Sequence, residues 1–321
     1  MQSISPRIVA SLAALTIAFA TPTAAQTTTA QTTTTLPTGQ QAQISTTAPL
    51  PAAIEVTRAK TGHLLVPVSV NGQPAGKFIL DTGAGMSCID KAVAAKLNLS
   101  AAGQATASGN AGSVAAAFRK TDSLAFGPVT VQNTLLVELD LAPIAAALGE
   151  PIGGVIGFEC FYAGIFEIDP AAPSVTLHDK SPEHTSAHWQ PMTLTGRRPH
   201  LPGQIEDHPP GEFLIDLGAN SGLTISAPLV AKYNLTADRP TSTASTGGVG
   251  GTQPALKGTI KSLRLADQSL TDVPATFSQA TKGLLASDQN LGAIGVGVLS
   301  KYRLFLDYQQ SRIALLPKPA P

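Results

Sequence analysis

An internal repeat constrains the fold of this 321-residue chain more than any other feature of its sequence. Residues 78–99 (FILDTGAGMSCIDKAVAAKLNL) match residues 213–235 (FLIDLGANSGLTISAPLVAKYNL), with one residue inserted in the second copy. Each copy places an aspartate, Asp81 or Asp216, directly after an apolar run. A chain built from two copies of one unit is expected to fold into two related lobes.

A second repeated pair sets the extent of the lobes. Residues 153–177 match residues 291–315, and both segments contain an apolar–apolar–Gly run, at residues 155–157 and 293–295. Each copy therefore opens with an aspartate turn and closes with such a run. We expect a first lobe over residues 53–190 and a second lobe over residues 191–321.

Local patterns predict mainly β structure with short helices. Residues 63–70 (HLLVPVSV) partly alternate and end at Asn71-Gly72, which is a strong hairpin signal. Asp90 and Ser226 are suited to begin a short helix after each aspartate turn. Further strand signals recur around residues 124–137, 165–177, 260–265, 273–277 and 304–315. The fold predicted is a pair of β-barrel-like lobes related by a pseudo-two-fold axis, without the alternation typical of a parallel βαβ sheet.

The N-terminal region has the pattern of an exported protein. Residues 1–25 combine Arg7 with an apolar run over residues 8–20 and small residues before a cleavage site after Ala25, which is typical of a signal peptide. The apolar run is too short to span a bilayer, although a retained anchor is an alternative. Residues 26–52 are rich in Thr, Gln and Pro and are expected to be a flexible linker or a pro-segment. We expect a periplasmic or extracellular protein without a stable membrane anchor after cleavage.

Charge and residue usage argue against a nucleic-acid partner and a metal site, and they leave the state of the two cysteines open. The net charge is zero and no Lys/Arg run is present, so a nucleic-acid partner is not expected. Cys88 and Cys160 could form one disulfide or stay free thiols, and the sequence leaves both open. His184 and His188 have a metal-ligand spacing but lie in a Pro- and Ser-rich stretch, so no metal is expected.

The two aspartate turns carry the chemistry. A carboxylate at the end of an apolar strand is costly to bury, and each one is followed by x-Gly-Ala. If the lobes pack about a two-fold axis, Asp81 and Asp216 meet and share one proton. Such a pair can activate a water molecule and protonate a carbonyl oxygen.

The aspartate turns and the closing Gly segments resemble the motifs of a known family. Residues 78–84 (FILDTGA) resemble the active-site signature of retropepsin-like and pepsin-like aspartic proteases, and residues 155–157 and 293–295 resemble the second motif of that family. The resemblance implies a bilobal acid-protease fold on one chain, with Asp81 and Asp216 as the catalytic pair, a peptide or protein substrate, and no cofactor. The residues implied to support the active-site turns are Thr82, Gly83, Ala84, Gly218, Ala219, Gly157 and Gly295.

Leu217 departs from the family pattern, in which this position carries a Thr or Ser hydroxyl that reaches across to the other lobe. The resemblance also implies flaps over the substrate, near residues 105–118 and 243–254. Two alternatives to a single-chain peptidase stay open. One is a catalytically weakened peptide-binding module; the other is an enzyme assembled from two copies of the first lobe. A monomer is favoured.

Overall fold

The computed structural model describes residues 31–36, 38–186, 188–289 and 291–318. The predicted signal peptide lies outside the described residues. The strands are, in chain order, β1 (Gln31–Thr35), β2 (Gln41–Thr46), β3 (Ala52–Ile54), β4 (Thr57–Arg58), β5 (Leu64–Val70), β6 (Gln73–Leu80), β7 (Cys88–Asp90), β8 (Ala101–Gly109), β9 (Gly112–Phe126), β10 (Val129–Leu139), β11 (Gly154–Ile156), β12 (Ile165–Asp169), β13 (Ser174–His178), β14 (Trp189–Pro191), β15 (Thr193–Thr195), β16 (Arg198–Ile205), β17 (Gly211–Ile215), β18 (Leu223–Ile225), β19 (Ser242–Gly248), β20 (Gly251–Leu265), β21 (Gln268–Ser278), β22 (Gly292–Ile294), β23 (Tyr302–Asp307) and β24 (Arg312–Pro317). The α-helices are α1 (Lys91–Lys96), α2 (Ala142–Leu148), α3 (Ala227–Lys232) and α4 (Val296–Leu299), and 3-10 helices cover Phe158–Ala163, Glu183–Thr185 and Leu284–Ala286.

The two lobes have sheets with the same central order, as the sequence repeat predicted. In the first lobe this order is β10-β7-β11-β6-β5, and in the second it is β21-β18-β22-β17-β16. Within each lobe the strand that leads into the aspartate turn pairs in parallel with the closing apolar–apolar–Gly strand, β6 with β11 and β17 with β22. The prediction of a mainly β, bilobal fold is confirmed.

A third sheet joins the lobes. Its strand order is β14-β24-β23-β12-β13-β3, so it takes strands from both halves of the chain. The junction is the antiparallel pair β12–β23, in which Ile165 lies opposite Asp307 and Ile168 opposite Leu304. Backbone hydrogen bonds therefore hold the lobes together directly, and this fixes how the two aspartate turns face each other.

The Thr-rich segment before the first lobe is part of the fold. Strands β1 and β2 form a hairpin, and β2 adds to the edge of β10. Alternate residues of β2, namely Ala42, Ile44 and Thr46, are buried. The prediction of a flexible linker is therefore wrong for this part of residues 26–52, because the segment alternates and buries one face. The alternative of a pro-segment stays a prediction.

Short helices follow both aspartate turns where the sequence predicted them. Helix α1 begins after Asp90, whose side chain accepts a hydrogen bond from Ala92 N at 2.9 Å. Helix α3 begins after Ser226 and has Pro228 in its first turn, where the missing N–H of proline costs nothing. Among the described residues, no helix has the length and apolar character needed to cross a bilayer.

Candidate active site

The aspartate turns begin where strands β6 and β17 end. The backbone N–H of Asp81 donates to the Ile156 carbonyl at 3.1 Å, and that of Asp216 donates to the Ile294 carbonyl at 2.9 Å. The closing strands β11 and β22 thus fix the position of each aspartate within its own lobe. The same bond in both lobes shows that the duplication extends to the backbone of the site.

The two carboxyl groups lie against each other's turns. A Cβ added at Gly83 would stand 2.6 Å from Asp216 Oδ1, and one added at Gly218 would stand 2.3 Å from Asp81 Cγ. Any side chain at either position would therefore displace the opposing carboxyl group. Gly83 N donates to Asp81 Oδ1 at 2.7 Å, and Gly218 N donates to Asp216 Oδ1 at 2.9 Å. The structure brings Asp81 and Asp216 together at the lobe interface.

The remaining predicted support residues lie behind the turns. The carbonyl of Ala84 accepts from Phe158 N at 3.0 Å, and the carbonyl of Ala219 accepts from Val296 N at 2.8 Å. The glycines that end the closing strands pass close to the turn backbone. A Cβ at Gly157 would meet Met86 C at 2.4 Å, and one at Gly295 would meet the Ser221 carbonyl oxygen at 2.3 Å. Only glycine permits this approach.

Thr82 links the lobes through both functions of its hydroxyl group. Its Oγ1 donates to the Ile215 carbonyl at 2.6 Å and accepts from Leu217 N at 3.0 Å. Leu217 occupies the equivalent position in the second lobe, is fully buried, and has no hydroxyl group to return these bonds. The link is therefore made from one side only.

The pKa values of both aspartates are perturbed. Burial raises the pKa of Asp81 well above its usual range, and the charge of Asp216 raises it further. Burial also raises the pKa of Asp216, while the hydrogen bonds from Asp81 and from Gly218 N and the positive charge of Arg198 oppose that rise. Two carboxyl groups this close cannot both ionise readily, so the pair shares one proton. The surroundings favour Asp81 as the protonated member and Asp216 as the charged one.

A family model described as aspartyl protease matches residues 66–160 and 201–297, more than half of the chain. The chain belongs to the aspartyl protease family. Each matched stretch contains one aspartate turn and one closing Gly strand, so both halves of the duplicated site lie within the match. No curated protein sequence gave a significant match.

The two segments expected to form flaps in this family member are long β-hairpins, β8–β9 and β19–β20, at the places that the resemblance implied. Their tips touch. Ala111 N donates to the Val249 carbonyl at 3.3 Å, and Gln253 Nε2 donates to the Ala111 carbonyl at 3.1 Å. The two hairpins therefore form one continuous feature that is contributed by both lobes.

Cys88 and Cys160 are free thiols. Cys88 Sγ lies 3.7 Å from the Met86 carbonyl, whereas Cys160 Sγ lies 3.6 Å from Ser87 Oγ. Burial raises the pKa of Cys88 to about 12. Of the two possibilities that the sequence left open, the structure has the thiols and not the disulfide, because each sulfur points to a partner of its own.

Sequence reasoning missed three side chains beside the site. His63 and Arg198 approach Asp216, and they occupy equivalent positions in the two repeats. Glu159 is fully buried and accepts from Ser87 N at 3.1 Å, which braces the first turn. Extending the repeat backwards from the aspartates would have aligned His63 with Arg198. No comparable signal marks Glu159, because the second lobe has no acidic residue there.

Proposed function

We propose that this protein is an aspartic endopeptidase in which Asp81 and Asp216 activate a water molecule to attack a peptide bond. The observation that supports it most is the placement of each carboxyl group against the glycine of the opposite turn. Such a placement is costly for stability, because it buries two acidic groups side by side. A fold that retains this unfavourable burial of two carboxyl groups is expected to use the pair in catalysis.

The geometry suits general acid–base catalysis by two carboxyl groups that share one proton. Asp216 accepts a proton from water while the water oxygen bonds to the carbonyl carbon, and Asp81 donates its proton to the carbonyl oxygen. A tetrahedral diol results. Asp216 then donates its new proton to the amide nitrogen, Asp81 recovers a proton from one hydroxyl group, and the C–N bond breaks. The two roles are thereby restored for the next turnover.

An extended peptide or protein segment is the substrate class that the proposal requires. The flap hairpins β8–β9 and β19–β20 offer backbone N–H and C=O groups to which an extended chain can pair, as in β-strand addition. Because both flaps and both aspartates come from one chain, a single copy contains every group that the reaction needs. We propose that the enzyme acts as a monomer.

A peptide-binding module without catalytic activity is the second candidate, and Leu217 is the observation that favours it. The buried leucine removes one of the two hydroxyl groups that would tie the turns together. A looser pair of turns would still bind an extended peptide at the flaps while positioning the water poorly. The two candidates differ in whether bound peptide is cleaved.

Single replacements of the two aspartates test the proposal. The wild type is expected to cleave a mixture of unstructured peptides, and Asp81→Asn and Asp216→Asn are each expected to lower kcat/KM by roughly 10²–10⁴-fold, because each removes one acid or base. Asp267→Asn, on an exposed loop, is the matched control. Mass spectrometry of the products measures cleavage, and binding of the same peptides to each protein is measured in parallel.

If the wild type binds peptides without cleaving them, the proposal of an endopeptidase is wrong and that of a peptide-binding module is supported. Activity that survives Asp216→Asn would show that the second lobe contributes no catalytic group. Loss of activity in Asp267→Asn alone would point to an effect unrelated to the pair.

Export is proposed from the sequence of residues 1–25, with the periplasm or the extracellular space as the location. Sequencing the N-terminus of the mature protein checks this, since a start at residue 26 is expected and a start at Met1 would contradict it.

A further inference from the structure

His63 makes a hydrogen bond across the lobe interface that has no equivalent in the other direction. It lies just before β5 in the first lobe and is buried, with 8% of its surface exposed. Its Nε2 lies 2.9 Å from the carbonyl oxygen of Gly218 in the second aspartate turn. Its Nδ1 lies 2.7 Å from Thr61 Oγ1. Both ring nitrogens are therefore occupied.

The partners of His63 determine its tautomer. A carbonyl oxygen only accepts hydrogen bonds, so Nε2 must carry the proton that points to Gly218. Nδ1 then accepts from the Thr61 hydroxyl group when the ring is neutral. Burial lowers the pKa of His63 from its usual value, against the opposing effects of the Gly218 bond and the charge of Asp216. The contacts therefore place a proton on Nε2, and burial favours the neutral ring, in which Nδ1 accepts from Thr61.

Gly218 contacts the carboxyl groups of both Asp81 and Asp216. Its N–H donates to Asp216 Oδ1 at 2.9 Å, and its Cα faces the Asp81 carboxyl group so closely that a Cβ would stand 2.3 Å from Asp81 Cγ. A shift of this residue would move one carboxyl group and crowd or release the other. Fixing its carbonyl group therefore fixes the separation of the pair.

Thr82 and His63 hold the second turn at its two ends. Thr82 binds the Ile215 carbonyl and Leu217 N before and after Asp216, whereas His63 binds the Gly218 carbonyl farther along. Both side chains belong to the first lobe. In the second lobe the equivalent positions carry Leu217 and Arg198, and within the described part of the chain neither side chain forms a hydrogen bond to the first turn.

We propose that His63 is a positioning residue that replaces, from the first lobe, the cross-lobe bond that a hydroxyl group at position 217 would have made. The inference rests on the proposed peptidase function. It explains how a family member can keep its aspartates in register with Leu217 at this position. The second turn is held twice by the first lobe, instead of each turn being held once by the other.

Variants at position 63 separate this role from simple packing. His63→Leu removes the donor and fills similar space, and it is expected to lower kcat about tenfold or more while KM changes little, because the peptide contacts at the flaps are untouched. His63→Gln can place an N–H near the same carbonyl group and is expected to retain most of kcat. The double variant His63→Leu/Leu217→Thr, which supplies the hydroxyl group from the second lobe, is expected to recover part of the loss.

An equal fall in kcat for His63→Leu and His63→Gln, or wild-type kcat in His63→Leu, would overturn the proposal. Unfolding midpoints of all variants are measured to show that the chains compared are folded. The tautomer of the wild type gives a readout that does not depend on activity.

Long-range proton–nitrogen NMR spectra of the ¹⁵N-labelled wild type report the tautomer of each histidine ring. The signals of His63 are those that disappear in His63→Gln. At neutral pH we expect a neutral ring with the proton on Nε2; a ring whose only proton is on Nδ1 would contradict the contact to Gly218. If the wild type cleaves no peptide, the proposed function fails, and the tautomer still decides whether His63 holds the turn.

Discussion

Thr82 shows how much of this site depends on single side chains. Its hydroxyl group satisfies two buried backbone groups of the opposite lobe, at 2.6 Å and 3.0 Å, although it is only 1% exposed. Thr134 is equally buried, but its hydroxyl oxygen has no hydrogen-bond partner in the described part of the protein. The two threonines are therefore chemically identical and differ only in what surrounds them.

Replacing each threonine by valine is expected to give opposite results. Thr82→Val leaves the Ile215 carbonyl and Leu217 N buried without their partner, so the free energy of unfolding is expected to fall by about 1–3 kcal/mol and kcat to fall with it. Thr134→Val removes an unpaired hydroxyl group and is expected to change stability by less than about 0.5 kcal/mol or to increase it. Urea unfolding measures both, and similar losses in the two variants would contradict this account.

At the scale of elements, the sequence patterns located most of the strands and helices near the site. The Asn71-Gly72 turn joins β5 to β6, and Asp90 begins α1, because turn and capping preferences act over a few residues. The hairpin β1–β2 was missed because a Thr- and Gln-rich composition does not reveal whether a neighbouring edge is free. Its strands are stable only because β10 offers that edge.

Paired alanine variants in β2 test whether the hairpin belongs to the folded unit. Ile44 is 1% exposed and packs in the core, whereas the adjacent Gln43 faces solvent. Ile44→Ala is expected to lower the free energy of unfolding by about 2–5 kcal/mol, and Gln43→Ala by less than about 0.5 kcal/mol. Equal, negligible effects in a denaturant titration would restore the interpretation of a flexible linker.

At the scale of the whole molecule, the acidic pair exists only because the lobes meet. Burial raises the pKa of Asp81 well above its ordinary value, with Asp216 as the second cause. The folded state therefore keeps this proton over a pH range in which the unfolded chain has released it. Since the folded state then binds more protons, stability is highest at low pH and falls as the pH rises above about 4 toward the raised pKa.

Asp81→Asn removes this pH dependence, because asparagine does not ionise in either state. We expect the variant to be more stable than the wild type at pH 7 and the difference to shrink toward pH 4. The expected size is about 1.4 kcal/mol for each unit by which the pKa of Asp81 differs between the folded and unfolded states. Urea unfolding of both proteins at several pH values measures it, and a difference independent of pH would show that the pair is not perturbed.

The sequence by itself determined the duplication, the two aspartate turns, the closing glycine strands and the candidate pair Asp81 and Asp216. These features follow from local rules, since an apolar strand, a glycine turn and a helix cap each depend on neighbours along the chain. Only the tertiary structure decided that the Thr-rich segment joins a sheet, that the cysteines stay free, and that His63 reaches Gly218. Each of these depends on distances between residues far apart in sequence, which the packing of the two lobes sets and no local pattern records.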